Sequence, residues 1–240
     1  MATLPKADVL HAPGQRRFFN PALAAFNALE IDVPASLAER LRPLVPALRE
    51  MDQGGKQHEL APGLTVNVVR PPEWGSDICW ISQADEATYA FFEGLMHELR
   101  LPEIVAPFVP HDREIRLYSG FFVTRSHCDE LYYHVDWATN GNIAFHLMCP
   151  ISENCQELGY VFRTARGEQR ERRYAPGKAM LFGDGFEHST GLGRTAERSV
   201  FLSMALGTDL PEYTEAVESM SSRQGPFFRR ADGRFVDNRR

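Results

Sequence analysis

Three side chains with metal-binding chemistry, followed by one arginine, stand in an order that a metal site can use. His134 and Asp136 occur in the segment YYHVDW, His188 in GFEHST and Arg198 in ERSVFLSMAL. Two imidazoles and one carboxylate bound to one face of a metal leave the opposite face open for further ligands. Alternate residues of a strand project to the same side, so His134 and Asp136 can reach one metal from one strand. His188 comes 52 positions after Asp136, enough chain for several strands to leave and return. Arg198 follows ten residues later, at the start of the apolar run Ser199 to Leu206. Its planar guanidinium suits bidentate recognition of a carboxylate.

The elements that must carry these residues are mostly strands. From Ile115 onward the pattern is one of short strands separated by turn signals, the all-β pattern of a sandwich or barrel. Asn140-Gly141-Asn142 forms a turn before the strand IAFHLMCP, and Pro176-Gly177-Lys178 forms another before AMLF. Gly183-Asp184-Gly185 then precedes the second histidine. Upstream, Ala22 to Glu30 and Ser36 to Met51 have helical apolar spacing, the second broken by Pro43 and Pro46. Leu64 to Val69 is a strand. Ala84 to Arg100 is the clearest helix, with acidic residues in its first turn and an arginine at its end. Its Tyr89, Phe92, Leu95, Met96 and Leu99 form one stripe suited to bracing a sheet. A short helix is expected over Pro211 to Met220. The organisation expected is one domain: helical and mixed support over 1–110, a β core over 111–208, and a C-terminal helix with a basic tail over 209–240.

The ordered set H-x-D, then H, then R ten residues on, with the Pro-Gly turn and apolar strand before the second histidine, resembles the Fe(II)/2-oxoglutarate dioxygenases. The resemblance spans about residues 115 to 207. It implies a mainly β fold with flanking helices around a double-stranded β-helix, the cupin-like jelly roll. It further implies that His134, Asp136 and His188 bind Fe(II), that 2-oxoglutarate and O2 are cosubstrates, and that Arg198 anchors the distal carboxylate of 2-oxoglutarate. The implied chemistry is decarboxylation to succinate and CO2 with attack on a substrate C–H bond. Hydroxylation is the commonest outcome in that family, and Asp136 speaks against halogenation. Family members with an R-x-S pattern carry serine where Val200 stands, so another polar group must assist. Tyr118 on IRLYSGFFV and His146 on IAFHLM are the candidates, although a single histidine on an apolar strand also fits a hydrogen-bonded core residue. Arg116 and Arg125 could meet an anionic substrate group. Tyr132, Tyr133, Trp137, Phe121 and Phe122 cluster around the first ligands as pocket lining or core.

Composition narrows the alternatives. A chain of 240 residues with 43% hydrophobic and 24% charged residues is ordinary for a globular domain. A net charge of −6 argues against a dedicated nucleic-acid binder. The basic stretch Arg163 to Arg173 lacks interleaved aromatic residues and is expected to tip a hairpin at Gly167. No segment has secretory order or membrane-spanning length, so the expected compartment is the cytoplasm, with no membrane partner. Cys79, Cys128, Cys149 and Cys155 form no CxxC pair and are expected as reduced core thiols. The tail from Ser221 to Arg240 holds six arginines against two aspartates and is expected as a solvated end, with Phe227 and Phe228 hinting at docking. Oligomeric state is left open. The expected partner is a small-molecule substrate, and the competing function is a cupin-like metal-binding sensor or binding module without turnover.

Overall fold

The computed structural model describes residues 27–51, 54–71, 77–139, 141–163 and 167–239. Strand β1 (Ala28–Asp32) comes first, followed by helices α1 (Ala35–Leu41) and α2 (Val45–Glu50). Strands β2 (Gln57–Ala61), β3 (Leu64–Val69) and β4 (Cys79–Gln83) lead to α3 (Glu86–Glu98) and the short α4 (Leu101–Val105). The core then runs through β5 (Arg116–Cys128), β6 (Ala144–Pro150), β7 (Gly159–Arg163) and β8 (Gln169–Arg173). It continues with β9 (Lys178–Phe182), β10 (His188–Thr190) and β11 (Gly193–Gly207). Helix α5 (Thr214–Gln224) and the hairpin β12 (Phe227–Arg229) and β13 (Phe235–Asp237) follow.

One antiparallel sheet takes the order β1-β9-β6-β11-β5-β4-β3-β2, and β10-β7-β8 form a smaller sheet. This is the mainly β jelly roll with flanking helices that the sequence led us to expect. Alternation along the strands splits the large sheet between two environments. Phe145, Leu147, Cys149, Val200, Leu202 and Met204 pack with residues of α1 to α4 in the larger core. Phe121, Val123, Met148, Phe182 and Phe201 turn the other way and pack with Tyr160 and Phe162 of the small sheet. Helix α3 is capped by the Asp85 carboxylate, which accepts from the Thr88 amide at 2.8 Å. Its expected apolar stripe is buried against the sheet. Gly120 on β5 is required for that approach, because a Cβ there would overlap the Phe92 ring.

Three expectations are corrected. The helical spacing of Ala22 to Glu30 becomes a strand where it is described, because β1 pairs antiparallel with β9 from Ala28–Phe182 to Asp32–Lys178. Long-range pairing overrides a weak local preference; residues 22–26 lie outside the described residues. The basic tail is a solvated end only from Arg234 on; before that it docks. Phe228 is fully buried, and Arg229 donates to the Tyr89 hydroxyl at 3.1 Å and pairs with Glu93 at 3.4 Å. Helix α5 runs one turn past Met220, to Gln224, which brings new side chains to the site. All four cysteines are buried free thiols. No helix among the described residues is long and apolar enough to cross a membrane.

Candidate active site

His134 and His188 are held opposite each other by a two-way backbone exchange, each amide donating to the other's carbonyl at 2.9 Å. This isolated bridge, rather than the expected strand, carries the first ligand pair, and the chain from Leu131 to Thr139 is otherwise irregular. The Asp136 Oδ1 lies 3.5 Å from His134 Nε2, and its Oδ2 lies 4.0 Å from His188 Nε2. One donor atom from each of the three lies within 4.8 Å of the others, which suits a single ion bonded at about 2.0–2.2 Å. Asp184 braces this loop from the turn before His188. Its carboxylate accepts from Thr139 Oγ1 at 2.5 Å and from the Asn142 amide at 2.6 Å. Gly185, at φ 76°, donates its amide to the Trp137 carbonyl at 2.9 Å.

The tautomers follow from the partners. His134 Nδ1 lies 3.0 Å from the Tyr132 carbonyl, and His188 Nδ1 lies 3.0 Å from the Phe186 carbonyl. A carbonyl only accepts, so both Nδ1 atoms carry the proton and both Nε2 lone pairs are free to bind a metal. Burial, reinforced by the neighbouring His134, pushes the His188 pKa down to about 4. For Asp136 burial works upward, but the imidazoles of His146, His188 and His134 outweigh it and hold the carboxyl below its ordinary 3.8. Neutral imidazoles and an ionised carboxylate are the forms that a metal requires.

The triad opens on a cavity of about 350 Å³, a size typical of small-molecule sites. His146 lines it, stacked on Phe182 at 5.4 Å and edge-on to Phe121 at 5.6 Å. Its Nε2 meets Ser203 Oγ at 2.6 Å, and that hydroxyl donates onward to the Leu147 carbonyl at 2.9 Å. Its Nδ1 sits 3.2 Å from Asp136 Oδ2 but off the line of a hydrogen bond. His146 therefore packs against the third ligand.

Arg198 does not join this group. Its Nε pairs with Asp77 Oδ2 at 3.2 Å, and its Nη2 donates to the Asp77 carbonyl at 3.3 Å. Asp77 is itself committed, accepting from the Ser126 amide at 2.6 Å and the Ser126 hydroxyl at 2.8 Å. The cause is a register shift in β11 between Arg194 and Ser199, which sets Ser199, not Arg198, opposite Arg125 of β5. Directly opposed residues share a face, so Arg198 turns away from the cavity and Arg125 turns into it. Arg125 is 6% exposed, lies over the Phe201 ring at 5.7 Å, and has a buried Nε with no hydrogen-bond partner. Burial lowers its pKa, partly offset by Tyr174, yet a guanidinium stays charged in a protein. A buried cation without a counter-charge is costly unless a ligand supplies one.

Tyr118 is also displaced from its expected role. Its hydroxyl donates to the Thr208 carbonyl at 2.8 Å, and its ring packs on Trp137 in a separate core with Ile143 and Val217. Tyr132 and Phe121 line the cavity, whereas Phe122 packs on Phe92 behind the sheet. The Tyr133 ring lies under the Arg163 guanidinium at 3.8 Å. Sequence reasoning missed Tyr160, Tyr174, Arg70, Arg223 and Gln224, all of which reach the cavity. Nothing local marks them. Arg125 did carry a signal, since Phe121, Val123 and Arg125 alternate along one face of an apolar strand.

Neither a protein-family model nor a curated protein sequence matches the chain. Solved structures do match it, and they share the fold of the Fe(II)/2-oxoglutarate oxygenases. EctD from S. alaskensis, solved with 2-oxoglutarate and 5-hydroxyectoine, superposes with a TM-score of 0.57 at 12% identity, covering 87% of this chain and 83% of its own. HygX from Streptomyces hygroscopicus, with nickel, 2-oxoglutarate and hygromycin B, gives a TM-score of 0.55 at 11% identity over 78% and 85%. SnoN, a non-heme α-ketoglutarate-dependent epimerase from nogalamycin biosynthesis, gives 0.53 at 11% over 81% and 80%.

Proposed function

We propose that this chain is an Fe(II)- and 2-oxoglutarate-dependent oxygenase that hydroxylates a C–H bond of a small molecule. The observation that carries the reading is the coincidence, in one cavity, of a His134–Asp136–His188 donor set and the unpaired Arg125. The donor set fits iron, because two neutral imidazoles with bare Nε2 atoms and one carboxylate make a facial triad. The bound metal would supply O2 activation coupled to conversion of 2-oxoglutarate to succinate and CO2, with one oxygen atom delivered to the substrate.

The protein's own residues supply position and exclusion. His134, Asp136 and His188 hold the metal from one side, their orientation fixed by the Tyr132 and Phe186 carbonyls. Arg125 takes the distal carboxylate of 2-oxoglutarate, the role first expected of Arg198. That carboxylate would give Arg125 a direct ion-pair partner, and a bidentate contact would fix the cosubstrate's direction. Phe121, Val123, Met148 and Phe182 keep water from the space between anchor and metal. His146 holds the Asp136 side of the site against the sheet.

Anaerobic titration of Fe(II) and 2-oxoglutarate into the apo-protein tests the reading through the weak visible charge-transfer band of the chelate. We expect the band in the native protein and its loss in His188→Ala. A folded, metal-binding protein with no band would instead be a cupin-like binding module. Product mass then separates hydroxylation, a gain of one oxygen atom, from epimerisation, which leaves the mass unchanged.

A further inference from the structure

The described arginines are mostly tied into ion pairs, among them Arg40–Glu98, Arg172–Glu30, Arg198–Asp77 and Arg229–Glu93. Arg42, Arg70, Arg125 and Arg223 form none among the described residues, and three of these four line the triad's cavity. Arg125 lies at the buried end. Arg70 and Arg223 are exposed at the rim, on separate elements, one directly after β3 and the other in the last turn of α5. Among the described residues the one carboxylate lining the cavity is Asp136, which the metal set already uses. In a chain of net charge −6, a cavity whose remaining formal charge is positive selects its ligands against the field of the whole protein.

The chain at both rim arginines is positioned by close contacts. The Arg70 stem lies along Gly54, where a Cβ would come 3.3 Å from its Cγ. Arg223 precedes Gln224, a 6% exposed side chain whose Oε1 accepts from the Ser119 hydroxyl. The next residue, Gly225, packs so closely on Ser82 that a Cβ would overlap its side chain. These contacts anchor the backbone that follows Arg223 beside β4 and β5. Between rim and metal the wall is apolar and aromatic, with Val69, Ile78, Trp80, Tyr132 and Met220.

We infer that Arg70 and Arg223 together form the recognition site for an anionic head group, so that the primary substrate is a small carboxylate or phosphate with an apolar, flat body. The two guanidinium groups take the anion at the rim. Trp80 and Tyr132 cover the body, and the far end reaches the metal. This assignment rests on the oxygenase reading for the site of reaction, but the anion preference stands on the rim residues alone.

Calorimetric titration under anaerobic conditions tests it, using protein loaded with Ni(II) and 2-oxoglutarate. The probes are 3-phenylpropionate and phenyl phosphate, against the neutral 3-phenylpropanamide and the cationic 2-phenylethylamine. At least one anionic probe is expected to bind about tenfold or more tighter than the amide. The double variant Arg70→Gln/Arg223→Gln should erase that preference, and Arg42→Gln should keep it. The carboxylate and phosphate arms identify the head group. Equal or better binding of the amide or the amine overturns the inference, as does failure of both anions to bind. A preference that survives the double substitution overturns it too. Loading of 2-oxoglutarate is measured first and separately. If it fails, the oxygenase reading falls, and the same titration on Ni(II)-loaded protein still decides the anion preference.

Discussion

Strands β5 and β11 lie side by side, yet Arg125 on the first and Arg198 on the second have opposite surroundings. Arg198 faces outward and is matched by Asp77, itself supported by Ser126. Arg125 faces inward among aromatic rings, in no ion pair among the described residues and with its Nε unbonded. On the outward face the arginine is complete as folded: Arg198 has its counter-charge and its acceptor within the chain. The inward face is complete only with something added. A charge left unmatched in a buried cavity marks a ligand site, whereas a charge matched by the fold marks structure.

The largest expected effect removes the inward face's chemistry outright. His188→Ala or Asp136→Ala should lower metal-dependent succinate formation by at least about 10³-fold, since the metal supplies several kcal/mol of the barrier lowering. Both variants should keep the native circular-dichroism spectrum. Turnover at the native rate in either one would remove it from the ligand set.

The comparison itself is broken or sharpened by one substitution on each side. Arg125→Gln should weaken 2-oxoglutarate binding by about 30-fold or more, because removing one partner of a buried charge contact costs about 2–5 kcal/mol. It should leave the melting temperature unchanged or raised. Arg198→Gln should do the reverse, keeping 2-oxoglutarate affinity while losing about 1–3 kcal/mol of stability. That is below the figure of about 3–5 for an orphaned buried charge, because Asp77 retains its Ser126 donors and both partners are partly solvated. Isothermal titration and denaturant unfolding read the two quantities, and weaker 2-oxoglutarate binding in Arg198→Gln would reverse the assignment of the two faces. Gly120→Ala belongs to the outward face alone. Overlap with Phe92 should cost about 1–3 kcal/mol with no change in cosubstrate affinity.

The misplacement of Arg198 shows what a linear pattern carries and what it does not. The jelly roll was legible because strand alternation, turn glycines and the α3 stripe are local signals. The approach of His134, Asp136 and His188 was legible because the spacing of the three leaves few ways to use them in such a fold. Which face an arginine takes depends on every residue counted between it and a known point. The irregularity between Arg194 and Ser199 breaks that count. Strand β1 and the docked tail were hidden for a related reason. Ala28–Asp32 is a strand only because β9 lies beside it, and the strand of Phe228 is covered only once β4, β5 and α5 come together. Rim residues such as Arg70 and Arg223 belong to elements far apart in sequence, so no motif could have joined them.

The smallest effect concerns acid, and it too separates the faces. His188 is held neutral by burial, with a folded pKa of about 4 against an ordinary 6.5, and burial also depresses His146. Between those two values the unfolded chain binds protons that the folded chain refuses. The stability of the apo-protein should therefore fall as pH drops from 6.5 toward 4, then stop responding to His188 below that. Asp77 on the outward face is ionised below its ordinary 3.8, because the Ser126 donors and Arg198 outweigh burial. Its contribution is lost only at still lower pH. Unfolding midpoints for the apo-protein across pH 4.5 to 7 should slope downward on acidification. In His188→Gln, whose side chain does not titrate, the slope should be shallower, the remainder coming from groups such as His146. An identical slope in that variant would mean that the imidazole accepts its proton without opening the inward face, and the buried, neutral metal ligand would have to be reconsidered.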